Sequence, residues 1–245
     1  MEGYTLKKWI SISLLILSAL ILGACNKEKS KDEVIDLVEE HMDEVSNYYT
    51  ETEINHTLSD LNQNLLDETE ALFKVHMHED TLESRGEMMQ DGNQINYIST
   101  KEATYAQMND EQWQNQTDAA DVFLNEDTDY SIVTQILLEL RDNEDVEMKE
   151  KDGDYMFTFQ GKSADIYKTL EKPYALTLEH AETTEVEQDL TITVDSETYF
   201  ITHVNNELFI DVDDATLEMY LDQTYENINE TDPIKIPQEV IDEAS

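Results

Sequence analysis

The sequence predicts an α+β fold: one large antiparallel sheet of about nine or ten strands, its apolar face covered by two main helices. Three observations carry this reading. Apolar residues alternate through many short runs, as in Phe73, Val75, Met77 and again in Tyr155, Phe157, Phe159. Few of these runs are apolar on both faces, which argues against parallel βαβ layering. Turn-forming clusters such as Asp91-Gly92-Asn93 and Lys151-Asp152-Gly153-Asp154 separate the runs.

The elements follow in order. Ser30 to Glu33 has the form of a capping box, and Val34, Ile35, Val38, Met42, Val45 and Tyr49 continue at helical spacing, predicting a helix over about 31–47. Ile54, His56 and Leu58 then alternate with Glu53, Asn55 and Thr57, and a second alternating run spans 70–79. Strands near 82–89 and 94–100 flank the Asp91-Gly92-Asn93 turn, and Asn109-Asp110-Glu111 turns the chain between Tyr105 and Trp113. A second helix, capped by Thr128 or Asp129, carries the stripe Ile132, Val133, Ile136, Leu137, Leu140. Strands resume at 146–149 and 155–159, and a short helix over 163–171 ends before Pro173. Three strong strands come next: Leu190–Val194, Tyr199–Val204 and Glu207–Val212. A long strand over roughly 215–228 follows, and Ile234, Ile236, Pro237 and Val240 read as a docked tail. Phe73, Val75, Met77, Tyr155, Phe157, Phe159, Leu190, Ile192, Val194, Leu208, Ile210 and Val212 are expected to point toward the helices.

The first 24 residues read as a secretory signal outside the fold. Lys7 and Lys8 precede an uncharged stretch from Trp9 to Leu22, which is short for a permanent membrane span. Leu22-Gly23-Ala24-Cys25 resembles the lipobox of bacterial lipoproteins. That resemblance implies that the Cys25 thiol receives a diacylglyceryl group and that cleavage before it leaves a lipidated N-terminus. Two or more acyl chains anchor stably where one binds marginally. The expected organisation is a signal peptide over 1–24, a lipidated tether over 25–31 and a single domain over 32–245. The expected location is the outer face of the cytoplasmic membrane of a Gram-positive cell.

Charge excludes further classes. The chain has 57 acidic and 15 basic residues, a net charge of −42, one cysteine and two arginines, Arg85 and Arg141. Losing residues 1–24 would leave 221 residues at −43. No basic face exists to neutralise phosphates, so nucleic acid is not an expected partner. A single cysteine excludes a disulfide framework. Such acidity fits a salt-rich or alkaline habitat, in which case stability should fall sharply at low salt; the alternative is that the carboxylates collect cations.

The order of elements, the Tyr105-to-Trp113 segment and the Ile-Lys-Ile-Pro-Gln-Glu-Val ending at 234–240 resemble lipoproteins of Bacillus-like bacteria similar to the LolA and LppX/LprG group of lipoprotein and lipid carriers. The resemblance spans most of 30–242. It implies a half-barrel, a strongly curved sheet with helices against its concave face and acyl chains held between. It supplies no catalytic residues.

Candidate chemistry is sparse. His76 and His78 share a strand face about 7 Å apart and would need a third ligand such as Asp80 to hold zinc. The competing reading is a polar outer strand face. His203 is expected on one face with Tyr199 and Ile201. No Gly-x-Ser-x-Gly elbow, phosphate-cradling glycine loop or His-Glu-x-x-His occurs, and with so many carboxylates no acidic pair is informative. The chain is therefore expected to be non-enzymatic and without a cofactor. Three functions stay open: a carrier of an apolar, lipid-like ligand, an envelope interaction or structural module, and a cation binder.

Overall fold

Tyr48, Thr50 and Thr52 are buried while Tyr49, Glu51 and Glu53 turn the other way, and this period of two runs through the sheet except where the register shifts at Leu58/Ser59 and at Ile201/His203. A computed structural model describes residues 29–60, 62–78, 81, 83–90, 92–118, 130–171, 186–212 and 215–245. The signal segment, Cys25, Asp80, Asp91, the Thr128/Asp129 cap and Pro173 lie outside the described residues.

Eleven strands are described: β1 Asn47–Asp60, β2 Leu65–His78, β3 Glu83–Gln90, β4 Asn93–Ser99, β5 Thr104–Met108, β6 Gln114–Asn115, β7 Glu147–Lys151, β8 Asp154–Lys162, β9 Glu187–Asp195, β10 Ile201–Val212 and β11 Ala215–Glu226. They form one antiparallel sheet in the order β6-β5-β4-β3-β2-β1-β11-β10-β9-β8-β7. Two meanders, β1 to β6 and β7 to β11, therefore meet at a central β1–β11 ladder running from Tyr49 opposite Glu226 to Asp60 opposite Ala215. The sheet is open, with β6 and β7 at its edges.

This corrects the expected fold class. In place of a half-barrel of nine or ten strands with two main helices, the described residues form eleven strands and four short α-helices: α1 Lys31–His41, α2 Tyr130–Glu139, α3 Ala164–Glu171 and α4 Gln238–Glu243. Sheet dominates for identifiable reasons. The first helix stops at His41 and passes through a 3₁₀ turn over Met42–Glu44; Val45 is already extended, so Tyr49, which fits the helical period, is a strand residue. Leu65–Glu70 is acidic and poor in β-formers, yet it extends β2 to 14 residues because β1 offers it a ladder. The two strands expected at 199–204 and 207–212 are one, β10, running through Asn205-Asn206.

The helices α1, α2 and α3 pack on one face, here the inner face. Val34, Ile35 and Val38 of α1, Val133, Ile136 and Leu137 of α2, and Ile166, Tyr167 and Leu170 of α3 form one core with Tyr155, Phe157, Phe159, Leu190, Ile192, Val194, Leu208 and Ile210. The expected core parity is thus observed for β8, for β9 and for Leu208 and Ile210 of β10, while the side chain of Val212 lies outside the described ones. Arg141 ties α1 to the turn after α2, reaching Asp36 at 3.0 Å and Glu39 at 2.7 Å, and Lys31 Nζ donates to the Asn143 carbonyl at 2.7 Å.

After β11 the chain crosses the outer face as a strap. Asn229 has a positive φ of 63°; its side chain accepts from Ser46 N at 2.8 Å and donates to the Glu44 carbonyl at 2.9 Å. Thr231 donates to Asn47 Oδ1, again at 2.8 Å. Beyond it Ile234, Ile236 and Val240 pack with Ile98, Tyr105 and Trp113, so α4 covers the outer face of β4 and β5.

Candidate functional site

Most positions on the inner face are apolar, and the buried polar ones fall in two groups: Thr50, Thr52, Gln188, Asn206 and Gln223 on β1, β9, β10 and β11, and Ser84, Ser99 and Thr104 on β3 to β5. On β10 the inner positions are Val204, Asn206, Leu208 and Ile210; on β9 they are Gln188, Leu190, Ile192 and Val194. Asn206 lies opposite Leu190 and Leu221, and Gln188 lies opposite Leu208, so the two amides are diagonal neighbours on adjacent strands. Each is 1% exposed. On β1 the inner positions are Thr50, Thr52, Ile54 and His56, with His56 opposite Met219.

Four of these polar side chains carry buried atoms without a hydrogen-bond partner. Both amide atoms of Asn206, both of Gln188, His56 Nε2 and Thr50 Oγ1 are buried without a hydrogen bond. Burying one such group unpaired costs about 1–3 kcal/mol. Six of them would cost an amount comparable to the ~5–15 kcal/mol by which a whole domain is stable. Burial also pushes the His56 imidazole below its ordinary pKa, so the ring is neutral near pH 7. The result is a set of uncharged donors and acceptors spread over four adjacent strands: His56 on β1, Asn206 on β10 and Gln188 on β9, with Met219 and Leu221 of β11 between His56 and Asn206. Between His56 and Asn206 lies a cavity of about 10 Å³ walled by Ile54, Leu208, Met219 and Leu221. That is room for about one water.

The inner face continues past the helices into β2 to β5. Ala71, Phe73, Met88, Ile95, Ala106 and Met108 share its parity, and none is fully buried. Tyr97, between them, is buried beside Gly86.

The outer face is a different chemical surface. A groove of about 670 Å³ is lined by Glu51, Glu53, Glu68 and Glu70 with Leu72 and Met89. A second cleft of about 440 Å³ lies between His76 and Arg85 of the sheet and Glu230, Asp232 and Lys235 of the strap. His76 and His78 are here, on the outer face, as the polar-strand reading had it. His78 Nε2 is engaged with the Asp232 carbonyl at 2.9 Å. His76 rests against the Tyr49 ring at 4.9 Å and lies opposite Arg85. Its pKa is lowered by burial and then by the Arg85 charge. Among the described residues no cluster of three His, Cys, Asp or Glu is placed to hold a metal ion.

His203 departs from its expected place. The β9–β10 register shifts between Ile201 and His203, so the parity of the strand changes there: Ile201 and Val204 both face the core while His203 faces out. There His203 Nε2 meets Asp222 Oδ2 at 2.8 Å, and Asn205 donates to the same oxygen at 3.0 Å. Burial would raise the Asp222 carboxyl, but these hydrogen bonds and the His203 charge outweigh it and hold the pKa below the ordinary value.

Asn206 and Gln188 were not among the sequence candidates. Their signal was parity: Asn206 falls between Val204 and Leu208, and Gln188 stands two before Leu190, both on the core register.

The model of a family of unknown function, DUF6612, matches residues 30–245. No curated protein matches the sequence. Among solved structures, a DUF1329 family protein from Desulfovibrio piger aligns over 79% of this chain and 92% of its own, at 8% identity and a TM-score of 0.24. GphF dehydratase 1 aligns over 71% of this chain and 75% of its own, at 11% identity and a TM-score of 0.13. Likenesses this slight bear on neither fold nor function.

Proposed function

We propose that this chain, which belongs to the DUF6612 family, is a non-enzymatic lipoprotein on the outer face of the cytoplasmic membrane that binds or carries an apolar, lipid-like molecule on the inner face of its sheet. One observation carries the reading: the apolar parity of that face runs on from the helix-covered core into Phe73, Met88, Ile95 and Met108, which are left partly open. Apolar surface of this kind, with a few convergent polar groups, is what a ligand-binding face needs. The lipobox-like Leu22-Gly23-Ala24-Cys25 supports a diacylglyceryl anchor, and the reading groups the chain with carriers of the LolA and LppX/LprG kind.

Purification from its native membrane, organic extraction and mass spectrometry test both parts. A stoichiometric lipid that is lost in a Phe73→Asp/Met88→Asp variant, together with an acylated Cys25, is the expected result. An empty protein, or one with an unmodified thiol and its leader intact, refutes it. A second reading, an envelope interaction module, is favoured by Leu65 and Leu66, each 57% exposed at the tip of the β1–β2 hairpin.

A further inference from the structure

The unpartnered set inside the core restricts what such a ligand can be. We infer that Asn206, Gln188 and His56 form a buried recognition site for an uncharged polar group that both donates and accepts hydrogen bonds, so that the ligand is a neutral amide- or hydroxyl-headed amphiphile bound head inward. The inference deepens the carrier reading and rests on it.

Three features carry it. The first is the deficit itself. The two carboxamides expose two NH₂ groups and two carbonyl oxygens to no partner, at 1% exposure each. A pure hydrocarbon cannot repair that, and a group that only accepts repairs half. The second is the supply of space. The cavity beside Asn206 holds about one water, and Gln188 does not line it. One water there does not reach Gln188, and a head group larger than water enters this cavity only as its walls give way. Its walls include Met219 and Leu208, and methionine is a side chain that repacks readily around a guest. The third is charge. The walls of the cavity are apolar apart from His56, Asn206 and Tyr220, and His56 is held neutral by burial. An ionised head would be stripped of water with no counter-charge to meet it, so carboxylates and phosphates are excluded. A chain carrying 57 acidic residues thus keeps a neutral interior site.

The test uses the full, delipidated chain in 1 M salt, where the surface field is screened within about 3 Å. Dodecanamide, methyl dodecanoate and dodecanoate compete at pH 8 against a fluorescent naphthylamine probe. Dodecanamide should bind about tenfold or more tighter than the other two, the scale of one or two added buried hydrogen bonds. The Asn206→Leu/Gln188→Leu variant should bind all three within about twofold of one another, and it should melt no lower than the parent, since both ends of the deficit are replaced by apolar groups. His56→Phe should narrow the preference in the same direction and guards against misfolding of the double variant. Equal binding of the three probes by the parent overturns the inference but not the carrier reading. So does an unchanged preference in the variants, which would make the amides water-held structural groups. Failure of every probe to compete overturns both.

Discussion

Removing a single oxygen from Tyr130 tests how the core is held to the sheet. Tyr130 opens α2 and is 1% exposed. Its hydroxyl donates to the Ile201 carbonyl at 3.2 Å and accepts from the Ile201 N–H, so one side chain satisfies both backbone groups of the residue where β10 changes parity. Its ring packs edge-on to Tyr225 at 5.1 Å and tilted to Tyr48 at 5.8 Å. Tyr130→Phe keeps the ring and its buried area and orphans two backbone groups. At roughly 1–3 kcal/mol for each group, with some relaxation, the loss should be about 2–4 kcal/mol. For a domain of this size that lowers Tm by about 5–15 °C. Urea unfolding is the assay, read as a lower midpoint with an unchanged slope. Tyr48→Phe is the internal control. Its hydroxyl accepts from Tyr130 N, an N–H in the first helical turn that has no intrahelical partner in any case, so its loss should be about 1 kcal/mol. A Tyr130→Phe cost under ~0.5 kcal/mol, or one no larger than that of Tyr48→Phe, would refute the account of Ile201 as a residue held by this hydroxyl.

Gly86→Ala should destabilise by about 1–3 kcal/mol in the same assay, because the added Cβ would meet the Lys74 carbonyl oxygen at 2.5 Å and Tyr97 at 3.0 Å. Asn229→Gly should loosen the strap by about 1–2 kcal/mol through lost hydrogen bonds, and Asn229→Ala by about 0.5–1 kcal/mol more because of the positive φ, measured as amide exchange at Ser46 and Asn47. Asp222 has a lowered pKa in the folded state, so its contribution is fully present above the ordinary carboxylate pKa and is lost as pH falls through the folded value. Asp222→Asn should accordingly flatten the acid limb of the stability curve below about pH 4.

What was legible in the sequence is what local periodicity encodes. The parity of Tyr155, Phe157, Phe159, Leu190, Ile192 and Val194 reads directly, as does the apolar tail at Ile234 and Ile236. Elements failed where two periods overlap. Met42, Val45 and Tyr49 fit a helix, and Tyr49 equally fits the strand that begins at Asn47. Asn205-Asn206 has the composition of a break, yet β11 and β9 supply ladders on both sides and the strand continues. The bulge that turns His203 outward leaves no mark in composition. The same bias hid the candidate site, because a polar residue in a strand is read as outward-facing unless its register is counted. The joining of β1 to β11 lies beyond any sequence window, since it is a pairing of distant segments.

That central ladder has a kinetic consequence. Residues 47–60 cannot find residues 215–226 until nearly the whole chain exists, and the loop they close is among the longest the molecule offers. Each meander can zip locally, but neither has a neighbour along its innermost strand until the other arrives. A nascent chain interrupted before β11 would carry β1 as a naked edge 14 residues long, a template for illegitimate partners. Completion of the polypeptide, more than any single helix, is the event that closes the risk of aggregation.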